Sequence, residues 1–229
     1  MAAPEYFFVT LFLPLLVLIA VFLLKEKKMK RLPFRDALQP IRRCFAILML
    51  PNMRWFLVIL LVASISSTFG IPFFFYLKEN LHFRETFLGL LSSIGWGGAL
   101  LGSLVYVKWL RRASPKKTLR WALFFNALNI FGTLFIRDTQ SAVILVFAGG
   151  VMGCLVLIPI MASAALLTHR SGVEGTLFAS LMSLFNLGQI AFGYLGGKIY
   201  PFVGLQTLIL VTGLAALTGL GAVQKLKFS

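Results

Sequence analysis

Apolar residues in this chain fall in long runs, without the alternation of a half-buried strand. The runs cover about 6–24, 55–77, 86–107, 119–136, 141–167, 174–199 and 204–224. At 1.5 Å rise per residue, each is long enough as a helix to cross roughly 30 Å of hydrocarbon. Seven such helices predict an all-α fold, a polytopic transmembrane helical bundle. The spacing between runs is uneven. From residue 55 onward the connectors are short, whereas a basic, Pro-containing stretch over 25–54 sets the first run apart. The organisation read from this is a single transmembrane helix over 1–24, a basic loop over 25–54, and a six-helix transmembrane bundle over 55–229.

Composition agrees with the pattern. The chain is 59% hydrophobic and 13% charged, where a soluble domain is nearer a quarter charged. Its net charge of +15 would point to nucleic acid in a soluble protein. Here the bases lie between the apolar runs, so they report topology and exclude a nucleic-acid partner. One set comprises nine bases of the 25–54 stretch, from Lys25 to Arg54, then Lys108, Arg111, Arg112, Lys116, Lys117, Arg120, Arg170, Lys225 and Lys227. The alternate connectors hold only Lys78, Arg84, Arg137 and Lys198. The richer set belongs on the cytosolic side. The first run is not a signal peptide, because its charges follow it and its apolar stretch is long. One helix, a long basic loop and six closely joined helices form the layout of a facilitator-type half, the back part of a transporter built from two six-helix bundles.

Candidate chemistry is sparse. Cys44 and Cys154 lie apart without metal-ligand spacing and read as ordinary thiols. No nucleophile–base pair or phosphate loop is present, so neither an enzyme nor a cofactor is expected. No carboxylate sits inside the apolar runs after residue 55, which leaves no intramembrane proton carrier in them. Ser171-Gly172-Val173-Glu174 has the spacing of a capping box, with the hydroxyl at the helix start and the carboxylate three residues on. Glu174 is then a helix starter at the membrane surface. Alternatively it is also a gate residue pairing with a base such as Arg170 or the 108–120 cluster, or it touches substrate directly. Deeper in the same run, Thr176, Ala179, Ser183, Asn186, Gly193 and Gly197 share one face of a helical wheel. Asn186 lies about 18 Å beyond Glu174, near mid-membrane. Ser183 and Asn186 are either interhelical glue or the lining of a substrate cavity. Asn126 and Asn129 repeat that choice at i, i+3 in the 119–136 run. Ser64, Ser66, Ser67 and Thr68 precede Gly70 and Pro72, where a proline frees a backbone carbonyl that hydroxyls can compensate; the helix is either kinked and mobile there or merely tolerates the proline. Gly98/Gly102, Gly149/Gly153 and Gly193/Gly197 are small-xxx-small pairs that permit close helix contact.

Three stretches carry a resemblance: FFFYLKENLHFRETFLG at 73–89, GSLVYVKWLRRASPKKTL at 102–119, and GVEGTLFASLMSLFNLG at 172–188. Together they resemble the folate–biopterin transporter family, related to the major facilitator superfamily, over about residues 50–220. After Asn186 the family's pattern has a second small residue near Gly188, where this chain has Gln189. The resemblance implies a multi-pass integral protein of a bacterial inner membrane or plastid envelope. It also implies folates or pterins as small-molecule substrates, moved by alternating access. The first five or so helices of the family are not in the chain. Its expected partners are therefore the lipid bilayer and the missing amino-terminal half or another chain. The residues alone leave open a non-transporting membrane partner or truncated remnant, and a facilitator-type transporter of another small molecule.

Overall fold

The structure, a computed structural model, describes residues 34–228. The predicted helix over 6–24 and the first part of the basic stretch lie outside them. The described chain is helical throughout, with short turns. Helix α1 (Phe34–Leu48) is followed by α2 (Pro51–Ser64), a 3-10 segment (Ile65–Phe69), α3 (Gly70–Phe75) and a π-helical turn (Tyr76–Asn80). Next come α4 (Glu85–Val105) with a π-helical end (Tyr106–Leu110), α5 (Pro115–Gly132) with a 3-10 end (Thr133–Phe135), α6 (Thr139–Thr168) and α7 (Glu174–Lys225). Among the described residues, four stretches are long and apolar enough to cross a membrane: Pro51–Asn80, Glu85–Leu110, Thr139–Thr168 and Glu174–Lys225. Helix α5 also spans 18 residues but carries Lys116, Lys117 and Arg120 in its first two turns. The protein is an integral membrane protein of several helices.

The 52 residues of α7 are not one rod. Gly204 has φ 73° and ψ 165°, outside any helix, and Pro201 lies just before it. Leu177 and Val223 belong to one buried cluster, yet a straight helix would hold them about 69 Å apart. The chain therefore folds back at Gly204 into antiparallel arms over 174–203 and 205–225. These arms match the predicted sixth and seventh runs.

Packing follows small residues and tight backbone approach. Helix α4 lies along α6. A Cβ on Gly98 would strike the Phe147 carbonyl, one on Gly102 would come 2.5 Å from the Val151 carbonyl, and one on Gly150 would strike the Gly95 carbonyl. The first arm of α7 meets α2 and its 3-10 segment, with Gly188 against Ser64 and Gly196 against the Thr68 carbonyl. The second arm packs on α2 and α5 through Gly219, which touches Val62 and Leu123, and Gly213, which touches Phe131. The predicted glycine pairs thus hold only in part. Gly98 and Gly102 both make close contact, whereas Gly153 and Gly197 face open space. Gly150 and Gly196, each one residue away in the wheel, are the points of closest approach.

Before Pro72 the helix changes its hydrogen bonding. In a regular α-helix the Thr68 carbonyl would accept from residue 72, and proline has no N–H to give. The backbone tightens to 3-10 over Ile65–Phe69. Thr68 and Ser66 hydroxyls donate back to the carbonyls of Ile65 (2.6 Å) and Ala63 (3.1 Å).

The basic ends of the helices gather at one rim. Asn52 donates from Nδ2 to the Lys227 carbonyl at 2.8 Å and accepts the Lys227 N–H at 2.9 Å. Lys116 Nζ donates to the Gln224 carbonyl at 2.7 Å. The opposite rim is closed by a cluster of Leu77, Leu88, Leu91, Ile136 and Ala142. Outward-facing Trp96, Leu100, Trp109 and Ile144 make a broad apolar girdle. In water such a surface would drive association, but in a bilayer it is the solvated face. The basic stretch expected to be a loop contains α1, whose Cys44 and Leu48 join the core of α2, α6 and α7. Its i, i+4 spacing buries those two while Arg42 and Arg43 stay exposed.

Candidate functional site

The turn before α7 decides how the candidate residues are presented. Arg170 (φ 60°) and Gly172 (φ 75°) both adopt left-handed backbone, so the helix cannot begin before Glu174. Val173 is the N-cap and has no side-chain cap bond. The capping box expected between Ser171 and Glu174 is not formed. Instead the Ser171 hydroxyl accepts the Val173 N–H at 3.3 Å. The Glu174 carboxylate accepts the Gly172 N–H at 3.2 Å. Glu174 still closes the turn on itself at the helix start. It forms no ion pair with Arg170, since the ion pair found among the described residues joins Lys78 to Glu85 at 2.8 Å.

A true capping box opens α6, at a position the sequence pattern alone did not single out. Asp138 Oδ1 accepts the Ser141 N–H at 2.8 Å, and Ser141 Oγ accepts the Asp138 N–H at 3.0 Å. These bonds from Ser141, backbone first and hydroxyl second, hold the Asp138 carboxyl below its ordinary range. The signal was in the chain as Asp138-Thr139-Gln140-Ser141, with Ser standing where Glu or Gln is usual.

Beyond the turn, the first arm of α7 has two faces. Leu177, Leu181, Phe185 and Gly188 are buried against the bundle. Thr176, Ala179, Ser183 and Asn186 are exposed on the other side. Neither Ser183 nor Asn186 has a side-chain hydrogen-bond partner among the described residues. The polar contact between α2 and α7 is made by Ser64 instead. Its hydroxyl lies 2.8 Å from the Leu60 carbonyl in its own helix and 3.1 Å from the Phe185 carbonyl across the interface. A cleft of about 420 Å³ runs between α1 and this face. Cys44, Phe45 and Leu48 line one wall, and Thr176, Ser180 and Ser183 line the other.

Asn126 and Asn129 are elsewhere. Asn129 is half-buried at the contact with α6, where its Oδ1 would lie 2.8 Å from a Cβ on Gly149. Asn126 is only 4% exposed, and its Nδ2 finds no partner among the described residues. Neither lines the cleft that Ser183 lines. The four residues therefore do not form one constellation.

The comparisons with known proteins agree with this architecture. Residues 4–221 match the BT1 family. The chain is 25% identical over 170 residues to the protein called probable folate-biopterin transporter 4 of Arabidopsis thaliana, covering 70% of this chain and 34% of that protein. It is 28% identical over 141 residues to probable folate-biopterin transporter 7 of the same plant, covering 58% and 32% respectively. The folate-biopterin transporter of Synechocystis sp. is 26% identical over 163 residues, covering 63% and 33%. The chain thus spans about a third of the length of the curated relatives it matches. A helical membrane bundle matched across nearly all of its length by one family places it plainly: the chain belongs to the BT1 family of folate–biopterin transporters.

Proposed function

We propose that this chain supplies the carboxyl-terminal six-helix unit of a transporter that carries folates or pterins by alternating access. The outward face of α7 bearing Ser183 and Asn186 would line the substrate path. The observation that carries the reading is the exposure of these two side chains without partners, half a membrane deep. An amide left bare to hydrocarbon costs on the order of 4–8 kcal/mol. That face is therefore not a lipid face. It belongs against a polar cavity enclosed with the remainder of a full-length relative's chain. A pteridine ring offers several donors and acceptors that a hydroxyl and an amide can meet. The contacts also support a facilitator-type half. The pairing of α2 with the first arm of α7 mirrors that of α6 with α4. Likewise α5 meets α6 as the second arm of α7 meets α2. Two inverted three-helix repeats produce that exchange. Glu174 and Arg170 sit at the mouth of the same face and serve as its gate in this reading.

The test is uptake of labelled folate and pterin in a transport-deficient cell, using the chain within its longest native reading frame. Asn186→Ala should lower uptake severalfold at unchanged membrane abundance. Accumulation no higher than with an empty vector for the unmutated protein would refute the substrate class. Parallel loss of uptake and abundance in Asn186→Ala would make the residue structural.

A further inference from the structure

We infer that the basic rim carries a binding site for the phosphate headgroup of an anionic phospholipid, centred on His169. Two clefts of about 550 and 730 Å³ meet there, sharing Pro115, Leu166 and His169 as walls. The first adds Arg111 and the second adds Arg170 and Lys227. These bases come from the α4–α5 connector, the α6–α7 turn and the tail after α7. Charge bias between the two sides of a membrane asks only that bases lie on one side. It does not ask three distant connectors to aim theirs into one groove. Among the described residues neither cleft is lined by a carboxylate. Glu174 in the adjoining turn is engaged by the Gly172 N–H. Lys116, the neighbouring base, is already taken by the Gln224 carbonyl, so it is not counted.

The remainder of the lining favours a lipid over a soluble anion. Leu166 lies in both clefts and is 54% exposed, and Ala162, Ala165 and Leu167 extend the apolar wall. Free phosphate gains nothing from that surface, whereas an acyl chain below a headgroup lies along it. Basic pockets between membrane helices are the recurring form of headgroup recognition, at about five-fold in affinity per base.

Native mass spectrometry of the purified 229-residue chain in detergent, titrated with phosphatidylglycerol or phosphatidylcholine, tests the site. Phosphatidylglycerol should bind at least tenfold more tightly. The triple variant Arg111→Gln/Arg170→Gln/Lys227→Gln should remove most of that preference. The opposite-rim variant Arg84→Gln/Lys198→Gln should keep it. Lys227→Gln alone should weaken binding about five-fold and is safe for folding, because the Asn52 contacts use only main-chain atoms of Lys227. Equal binding of the two lipids overturns the proposal, as does an unaffected triple or single variant, or equal loss in both rims. Displacement by inorganic phosphate at the lipid's own concentration would overturn the lipid assignment in favour of a soluble anion.

Discussion

The contact between Gly196 and the Thr68 carbonyl gives the sharpest stability prediction. Pro72 withholds the N–H that would draw this carbonyl into its own helix, and the first arm of α7 receives it where residue 196 has no side chain. An alanine there would drive its Cβ into the Thr68 carbonyl oxygen, with the carbonyl carbon 2.5 Å away. Backbone atoms cannot rotate aside as a side-chain tip can, so the helices must separate. Overpacking of this kind costs about 1–3 kcal/mol. In a chain of this size that is roughly 2–12 °C in melting temperature. Gly197→Ala is the control, because nothing lies within 4 Å of its Cβ and alanine suits a helix interior better than glycine. Thermal unfolding in detergent should show Gly196→Ala well below the parent and Gly197→Ala at or above it. A double-mutant cycle sharpens the test. Pro72→Ala restores the missing donor and lets the carbonyl retract, so Gly196→Ala should cost less in that background. Equal melting of the two alanine variants would refute the close approach. An additive cycle would refute the role given to Pro72.

Three further outcomes are expected. Ser64→Ala should lower stability by about 0.6–1.5 kcal/mol by the same assay, because a fully buried hydroxyl loses its bond across the α2–α7 interface. Asn126→Leu should leave melting unchanged or raise it, since the buried amide nitrogen is unsatisfied among the described residues. A fall in uptake without a fall in melting would instead give Asn126 a substrate role. Asp138→Ala should melt below the parent at pH 7 through loss of the α6 cap. The Asp138 carboxyl is lowered in the folded state, so its contribution is full above the unfolded value near 4 and disappears as pH falls through the folded one. Melting curves of parent and variant should therefore converge below about pH 4.

Hydropathy made the helices after residue 55 legible, because length and apolarity alone decide whether a segment crosses a bilayer. The run at 141–167 became Thr139–Thr168, and that at 86–107 became Glu85–Val105 with its π-helical end. Helix α1 was hidden because its apolar positions are spaced for one interface and its bases imitate a loop. Which glycines touch was not legible either. A membrane helix is apolar on every side, so a spacing of four leaves its facing direction open, and neighbours one residue apart such as Gly149 and Gly150 are indistinguishable. The start of α7 was placed correctly at Glu174, yet its cap was not, since the positive φ at Arg170 and Gly172 reassigns the Ser171 hydroxyl to the turn. The polar residues of the candidate site were legible one by one. Their separation into an outward α7 face and an inward α5 face required the packing.

The reversal at Gly204 has a consequence for how the protein is made. With one non-helical residue between them, the two arms are joined without slack and form one hairpin. Entry into the lipid as a single hairpin is the expected route, with Phe202, 88% exposed, beside its tip. Lengthening the bend with a flexible insert should therefore harm biogenesis more than it harms the finished fold.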